Sequence, residues 1–466
     1  MTTAAPDVAL AFTGDPTPLP PGPRSPALIQ MLRFRLRPIA LWDECARRYG
    51  DCFTLRFPGT PPFVFFTDPD AIKGIFTGDP DTLAAGEVNA YFAFLLGERS
   101  LLTLDGAAHL RDRRLLLPPF HGERMTAYGG LMRAVTDRVL DALPLGEPLP
   151  AQRAMQAITL DVILRAVFGL DDAAEQDRVR ACLLRYLALT SGRFAPFLVV
   201  PGLRIDLGPW SPWGRFRRER AAVDRVLLDA IARRRAAGTA GRADVLSLLL
   251  DARDEQGQAL TDDELRDEML TLLMAGHETT ATALAWVIHR VLAHPAVEDR
   301  LRAEVAAASA DDAGDVSRLV YLDAVVKETM RLSPIIHQVT RKLRAPAVIA
   351  GRALPAGVIV APAIYLTHRR ADLWPEPERF HPERFVGVRP SPYAFFPFGG
   401  GVRRCIGAAF ASYEMKIILA QVFSRLTLRP VAGPAVRPVA LTATVGPSGG
   451  TPIVVEARRP ATARGR

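Results

Sequence analysis

The sequence predicts an α-rich α+β fold, and three observations carry that prediction. From about residue 106 to 334 the chain is dominated by long runs with the apolar period of helices. Short alternating or continuous apolar runs, the mark of strands, fall only near the two ends. Helix in bulk with small sheets at either end is a plan that buries both kinds of element. A hydrophobic content of 49% over 466 residues supplies a large core.

The elements follow in order. Residues 1–24 are proline-rich, end in LPPGPR and read as a flexible tail. PIALWDECARRYG (38–50) has helical apolar spacing and stops at Gly50. CFTLRF (52–57) and PFVFFT (62–67) read as a strand pair around PGTP. GEVNAYFAFLLGERS (86–100) and RFAPFLVVPGLRIDLGPWSPWGR (193–215) read as apolar loops, the second carrying Trp210 and Trp213. Such loops line a pocket, touch lipid or simply cover the core. The run EMLTLLMAGHETTATALAWVIHRVLAHP follows a capping box, Thr261 to Glu264, and is apolar enough all round to be a buried helix. Strands return in APAVIAGRALPAGVIVAP, PVALTATV and TPIVVEA. No internal repeat is present.

Composition excludes several classes. The four cysteines, Cys45, Cys52, Cys182 and Cys405, match no zinc spacing and form no disulfide framework, which points to a reducing, cytoplasmic setting. The N-terminus lacks the basic and apolar regions of a signal peptide. No run of 18 apolar residues without a charge occurs, so no transmembrane segment is expected. The net charge of +8 comes from scattered arginines, without a nucleic-acid recognition signature.

Chemistry concentrates in FPFGGGVRRCIGAAF, residues 396–410. Gly399, Gly400 and Gly401 permit positive φ and let a bulky planar ligand approach the backbone. The helical run after Cys405 places it near a helix N-terminus, beside Arg403 and Arg404, which favours thiolate. A phosphate loop is excluded, since no Lys-Ser/Thr follows. A catalytic nucleophile and a buried structural cysteine both stay open. Inside the apolar helix, Glu278 beside Thr279 is costly unless used or paired, and Thr279 can bond back to the carbonyl four residues earlier. Glu328 and Arg331 share a helical face, as His109 and Arg113 do.

Phe398, Gly401, Arg403, Cys405 and Gly407 form F-x-x-G-x-R-x-C-x-G, which resembles the haem-ligand loop of the cytochrome P450 family. AGHETT (275–280), KETMR (327–331) and FHPERF (380–385) match further family motifs in the right order. The resemblance implies the cytochrome P450 fold: one mostly helical domain over 25–460, a long central helix over haem, and small sheets. It implies haem b (iron protoporphyrin IX) on Cys405 as the metal ligand, with Phe398 and Gly407 in the haem loop. Ala275 and Gly276 leave room over the haem, and Glu278 and Thr279 supply protons while O2, the co-substrate, is activated. His109, Arg113, Arg341 and Arg403 hold the propionates. Glu328, Arg331 and Arg384 form a structural network behind the haem loop.

The expected reaction is oxygen insertion into an apolar small molecule, a fatty acid, terpenoid or polyketide. The implied pocket is Phe92, Phe94, Leu95, Leu272, Leu273, Ile335, Ile336, His337 and Val445, with His337 either orienting a polar group or a satisfied loop histidine. LLLPPFHGERM (115–125) resembles bacterial members with lipid-like or terpenoid substrates. No flavin or iron–sulfur domain is expected, so electrons come from a separate ferredoxin and ferredoxin reductase, with Arg111, Arg114, Arg404 and Lys416 as the landing patch on a monomer. Two rivals remain: a peroxide-using or isomerising haem-thiolate enzyme, against which Glu278 and Thr279 argue, and a non-enzymatic haem sensor or ligand carrier.

Overall fold

The computed structural model describes residues 18–121, 124–170, 172–190, 198, 201–311, 316–441 and 444–459. The tail up to residue 17, residues 122–123 of LLLPPFHGERM, residues 442–443 of PVALTATV, most of the 193–215 stretch ahead of Pro201 and residue 460 at the domain's end lie outside the described residues.

A central helix, Asp262–Leu292, organises the molecule. Its capping box is present: the Glu264 amide donates to Thr261 Oγ1 (3.2 Å) and the Thr261 amide to Glu264 Oε2 (2.8 Å). It packs along helix Ala151–Val162, and helix Pro212–Ala237 joins it from the side. Helix Ala408–Arg425, which follows the Cys405 loop, packs on Arg124–Asp141 and touches the central helix. These surfaces merge into one large apolar core.

The sheets sit at the flanks, as the strand signals require. A five-stranded sheet runs Cys52–Leu55, Phe63–Phe66, Ile359–Pro362, Arg341–Leu343 and Leu83–Ala84. The first pair is antiparallel, with Cys52 opposite Phe66, and the second is parallel, with Phe63 opposite Ile359. Two hairpins and a three-stranded sheet around Pro452–Arg458 complete the β structure of the described residues.

Three sequence expectations change. LPPGPR is not loose: Thr54 donates from its amide to Pro21 O (3.0 Å) and from its hydroxyl to Pro20 O (2.7 Å), so the chain is held from Leu19 onward. The 86–100 stretch is not a plain loop but three short helical turns, Gly86–Asn89, Ala90–Phe92 and Ala93–Leu96. Each is too short to display an amphipathic period. The 193–215 stretch ends early, because Ser211 caps helix Pro212–Ala237 through the Gly214 amide and puts Trp213 on that helix.

Behind the Cys405 loop the network of three is complete. Arg331 Nε and Nη2 bond both oxygens of Glu328 at 2.7 and 2.9 Å, and both residues are fully buried. Arg384 Nε reaches Glu328 Oε1 at 3.0 Å, and the His381 amide donates to the same oxygen at 2.9 Å. Arg331 Nη1 donates to the carbonyls of His368 and Pro377, both at 2.7 Å. His368 Nε2 accepts the Phe396 amide (3.0 Å), which opens the cysteine loop. Glu328→Ala leaves the Arg331 guanidinium buried without its acid, and a loss of about 3–5 kcal/mol of stability is expected. A urea midpoint shift worth less than about 1 kcal/mol would remove this network from the account of stability.

Candidate active site

The Cys405 loop is built on glycine for steric reasons. Gly399 and Gly401 sit at φ 68° and 65°. A Cβ on Gly400 would lie 2.1 Å from the Phe76 ring, and one on Gly401 2.1 Å from the Phe76 carbonyl. The Cys405 amide closes the loop on Phe398 O (2.9 Å). The helix begins at Ala408, with Gly407 as N-cap. Cys405 is accessible yet strongly desolvated, the combination found where a side chain faces an internal hollow. Burial raises its pKa above the ordinary thiol value, outweighing the Gly407 amide, Arg113 and Arg404. The Gly407 amide and the two arginines favour thiolate, as the sequence suggests, and burial acts against them.

Around the loop stands an excess of positive charge. Burial, then the charges of Arg403, Arg113 and Arg341, hold His109 down at about 3, so it is a neutral donor or acceptor rather than the charged one expected. Arg341 is buried, with only the carbonyls of Thr340 (2.8 Å) and Gly400 (3.5 Å) as partners. Burial, then Arg403, lowers its pKa to about 10. Arg113 makes no side-chain hydrogen bond or ion pair among the described residues. Arg403 bonds Asp105 and the carbonyls of Leu101 and Leu104. Among the described residues Asp105 is the carboxylate that acts on Arg403 and Arg341, it is shared with Arg344, and Arg113 has none, so the donor set lacks anions.

Asp105 belongs to no motif that the sequence displays. Its carboxylate accepts the amides of Ala85, Gly86 and Glu87 at 3.0, 2.8 and 2.9 Å, as well as Arg403. The amides lie some 20 residues upstream, so no local pattern announces them.

The central helix opens along one stripe. Thr279 Oγ1 donates to Ala275 O at 2.5 Å. Ala275 is exposed in the middle of an otherwise buried helix, and Leu272, Gly276, Glu278 and Thr279 are half-buried. Residues 272, 275, 276 and 279 share one helical stripe, so this stripe faces open space. Glu278 makes no side-chain hydrogen bond among the described residues, and burial raises its pKa above the usual carboxylate value. His277 turns the other way, its Nδ1 3.0 Å from Thr159 Oγ1.

The predicted pocket residues divide. Phe92, Phe94, Leu272 and Ile335 are half-buried against the main core, as lining residues are. Val445 joins them through its amide bond to Ile335 O (2.9 Å). Leu95 is buried, and its carbonyl accepts Tyr186 Oη (2.6 Å) and Arg220 Nη1 (2.8 Å). Three assignments fail. Leu273 is fully buried, one step round the helix from the open stripe. Ile336 packs with the five-stranded sheet's cluster. His337 is buried against Trp42 and Tyr365, at ring distances of 4.9 and 5.4 Å, packed as a loop histidine rather than set into the lining.

The landing patch also shrinks. Arg111 is held by Asp254 (2.7 Å), Asp112 and Glu264, and Lys416 pairs with Asp323. Arg404 and Arg114 are exposed, although Arg114 contacts Glu255.

Two cavities bear on the site. One, of about 280 Å³, is lined by Cys405, Phe398, Arg113, Arg404 and Ile406. The other, of about 390 Å³, is a charged cleft among Gly97, Arg220, Asp224, Arg266 and Asp267, away from the cysteine. The residues present fit haem: a lone accessible thiol, cations short of anions, and an opened helix stripe. Gly401→Ala is expected to cost more than about 1 kcal/mol, because of its positive φ and the Phe76 carbonyl. Gly407→Ala meets nothing within 4 Å, so melting should be unchanged while haem titration shows weaker retention. Equal melting losses in both variants would contradict this reading of the loop.

The comparisons agree with this geometry. A family model described as Cytochrome P450 matches residues 19–447. Cytochrome P450 135B1 of Mycobacterium tuberculosis is 40% identical over 458 residues, covering 95% of this chain and 92% of that protein. Cytochrome P450 135A1 of the same organism is 39% identical over 426 residues, covering 90% of each. Among solved structures, a retinoic acid-bound cyanobacterial CYP120A1 superposes with a TM-score of 0.81 at 26% identity, over 95% of this chain and 100% of that one. The haem domain of cytochrome P450DA gives 0.82 at 25% identity, over 94% and 98%. Motif spacing, the accessible thiol, the opened helix stripe and these likenesses together show that the chain belongs to the cytochrome P450 family and is a haem-thiolate monooxygenase.

Proposed function

We propose that this monooxygenase hydroxylates or epoxidises an apolar small molecule, a fatty acid, terpenoid or polyketide, using haem b, O2 and electrons from a separate ferredoxin and its reductase. The observation that carries the substrate class is the lining: Phe92, Phe94, Leu272 and Ile335 are half-buried and apolar. The retinoic acid held by one structural neighbour is a molecule of this kind. We place the enzyme in the cytoplasm as a monomer. Among the described residues no helix is long and apolar enough to cross a membrane.

Bound haem supplies activation of dioxygen, of which one atom enters the substrate and the other leaves as water with two protons and two electrons. The chain's own residues do the rest. Cys405 would ligate the iron as thiolate. Arg113, Arg341, Arg403 and His109 would bind the two propionates, whose negative charge this cation-rich cluster lacks. Phe398 and Gly407 would pack against the macrocycle. Ala275 and Gly276 leave space for dioxygen. Glu278 holds a proton because burial disfavours its charge, and Thr279 passes it on by turning its hydroxyl away from Ala275 O. Arg404 and Arg114 offer positive charge to an acidic ferredoxin on the cysteine side.

Reduced holoenzyme under carbon monoxide should show the strongly red-shifted Soret band of thiolate-bound haem, and Cys405→Ser should lose it. An unchanged band in that variant would end the reading. Glu278→Gln should slow substrate oxidation by about a hundredfold, the lower scale for a proton-transfer group. Thr279→Ala should keep consuming NADPH while less of it appears as product. Full coupling in the alanine variant would exclude Thr279 from proton transfer.

A further inference from the structure

We infer that Arg204 is a carboxylate-binding subsite at the outer end of the pocket, so that the substrate is an apolar acid rather than a neutral hydrocarbon. This rests on the monooxygenase reading above and narrows its substrate class.

Arg204 differs from its neighbours Arg220 and Arg266. Arg220 pairs with Asp224 at 2.9 Å, and Arg266 pairs with Asp267 at 2.9 Å. Arg204 makes no ion pair among the described residues, although its side chain is half-buried. Its Nε donates to Leu198 O at 2.8 Å. Its Nη2 is buried and has no hydrogen-bond partner. A buried donor left without a partner is costly, so such a group calls for an acceptor that arrives from elsewhere. Burial also weakens the guanidinium's hold on its proton, and only Tyr91 acts against that; no carboxylate is close enough to do so.

Aromatic rings fix the guanidinium in place. Its central carbon lies 4.1 Å from the Phe94 ring, 5.3 Å from Trp213 and 6.0 Å from Tyr91. Such faces hold a cation without neutralising it. The same Phe94 packs with Phe92, Leu272 and Ile335 against the main core. Phe94, itself one of the apolar residues proposed as lining, carries this unsatisfied cation on its face, the arrangement an amphipathic acid requires: carboxylate on Nη2, hydrocarbon along Phe94. A neutral hydrocarbon would leave Nη2 unpaired.

The test compares dodecanoic acid with dodecan-1-ol, titrated into holoenzyme and read by calorimetry and by the Soret shift. Wild type should bind the acid more tightly than the alcohol. Arg204→Gln should weaken the acid by about tenfold or more, the scale of one charge-assisted hydrogen bond, and leave the alcohol within twofold. Arg204→Lys should recover part of the loss, which a packing role would not. Equal weakening of acid and alcohol, or no weakening of either, overturns the inference, as does wild type preferring the alcohol. Calorimetry reads binding whatever the iron does, so its outcome is independent of the carbon monoxide measurement that tests for thiolate-bound haem.

Discussion

The fully buried guanidinium of Arg331 is the constraint on which the reactive end of the molecule depends. It has no water to solvate it, so every donor must find a protein acceptor. Glu328 takes two of them, and the carbonyls of His368 and Pro377 take another. Helix Val320–Leu332 is thereby tied to the irregular segment 368–385, which has little regular structure of its own. His368 carries the tie onward, because its ring accepts the Phe396 amide at the start of the cysteine loop. The start of the cysteine loop is thus anchored to a buried ion pair, in addition to the glycine-rich backbone that shapes the loop itself.

Charge is organised differently on the two sides of Cys405. Behind it, each charge of the network is paired directly, Glu328 with both Arg331 and Arg384. Around His109, Arg341 and Arg403, cations exceed acids, and desolvation pushes all three toward their neutral forms. The first arrangement is closed by hydrogen bonds within the fold, and the second leaves positive charge uncompensated by the described residues.

Much of this was legible in the sequence, for identifiable reasons. The central helix declared itself by a capping box and a long apolar run, and the strand pair by short β-rich segments bounded by turns. Glu328 and Arg331 are three apart on a helix, where proximity is a matter of geometry. Contacts that span the chain left no such trace. Arg403 meets Asp105 across 298 positions, and Gly97 lies against Asp267, where a Cβ would come within 2.0 Å of its carboxyl carbon. Assigning a helix face also needs its angular register. The open side of the central helix is fixed by Ala275 and Thr279, which selects Leu272 and turns Leu273 into the core. His337 escapes sequence reasoning for a related reason: its carbonyl is pinned by the Tyr365 amide (3.1 Å), which commits the ring to Trp42.

The Leu95 carbonyl, which receives both the Tyr186 hydroxyl and the Arg220 guanidinium, has a kinetic meaning. Two donors from different helices converge on one oxygen, so releasing either alone leaves the turn 93–96 still fastened. Movement of that turn then requires both to let go together. A turn fastened in this way has two positions, held or released, rather than a continuous range of partly loosened ones.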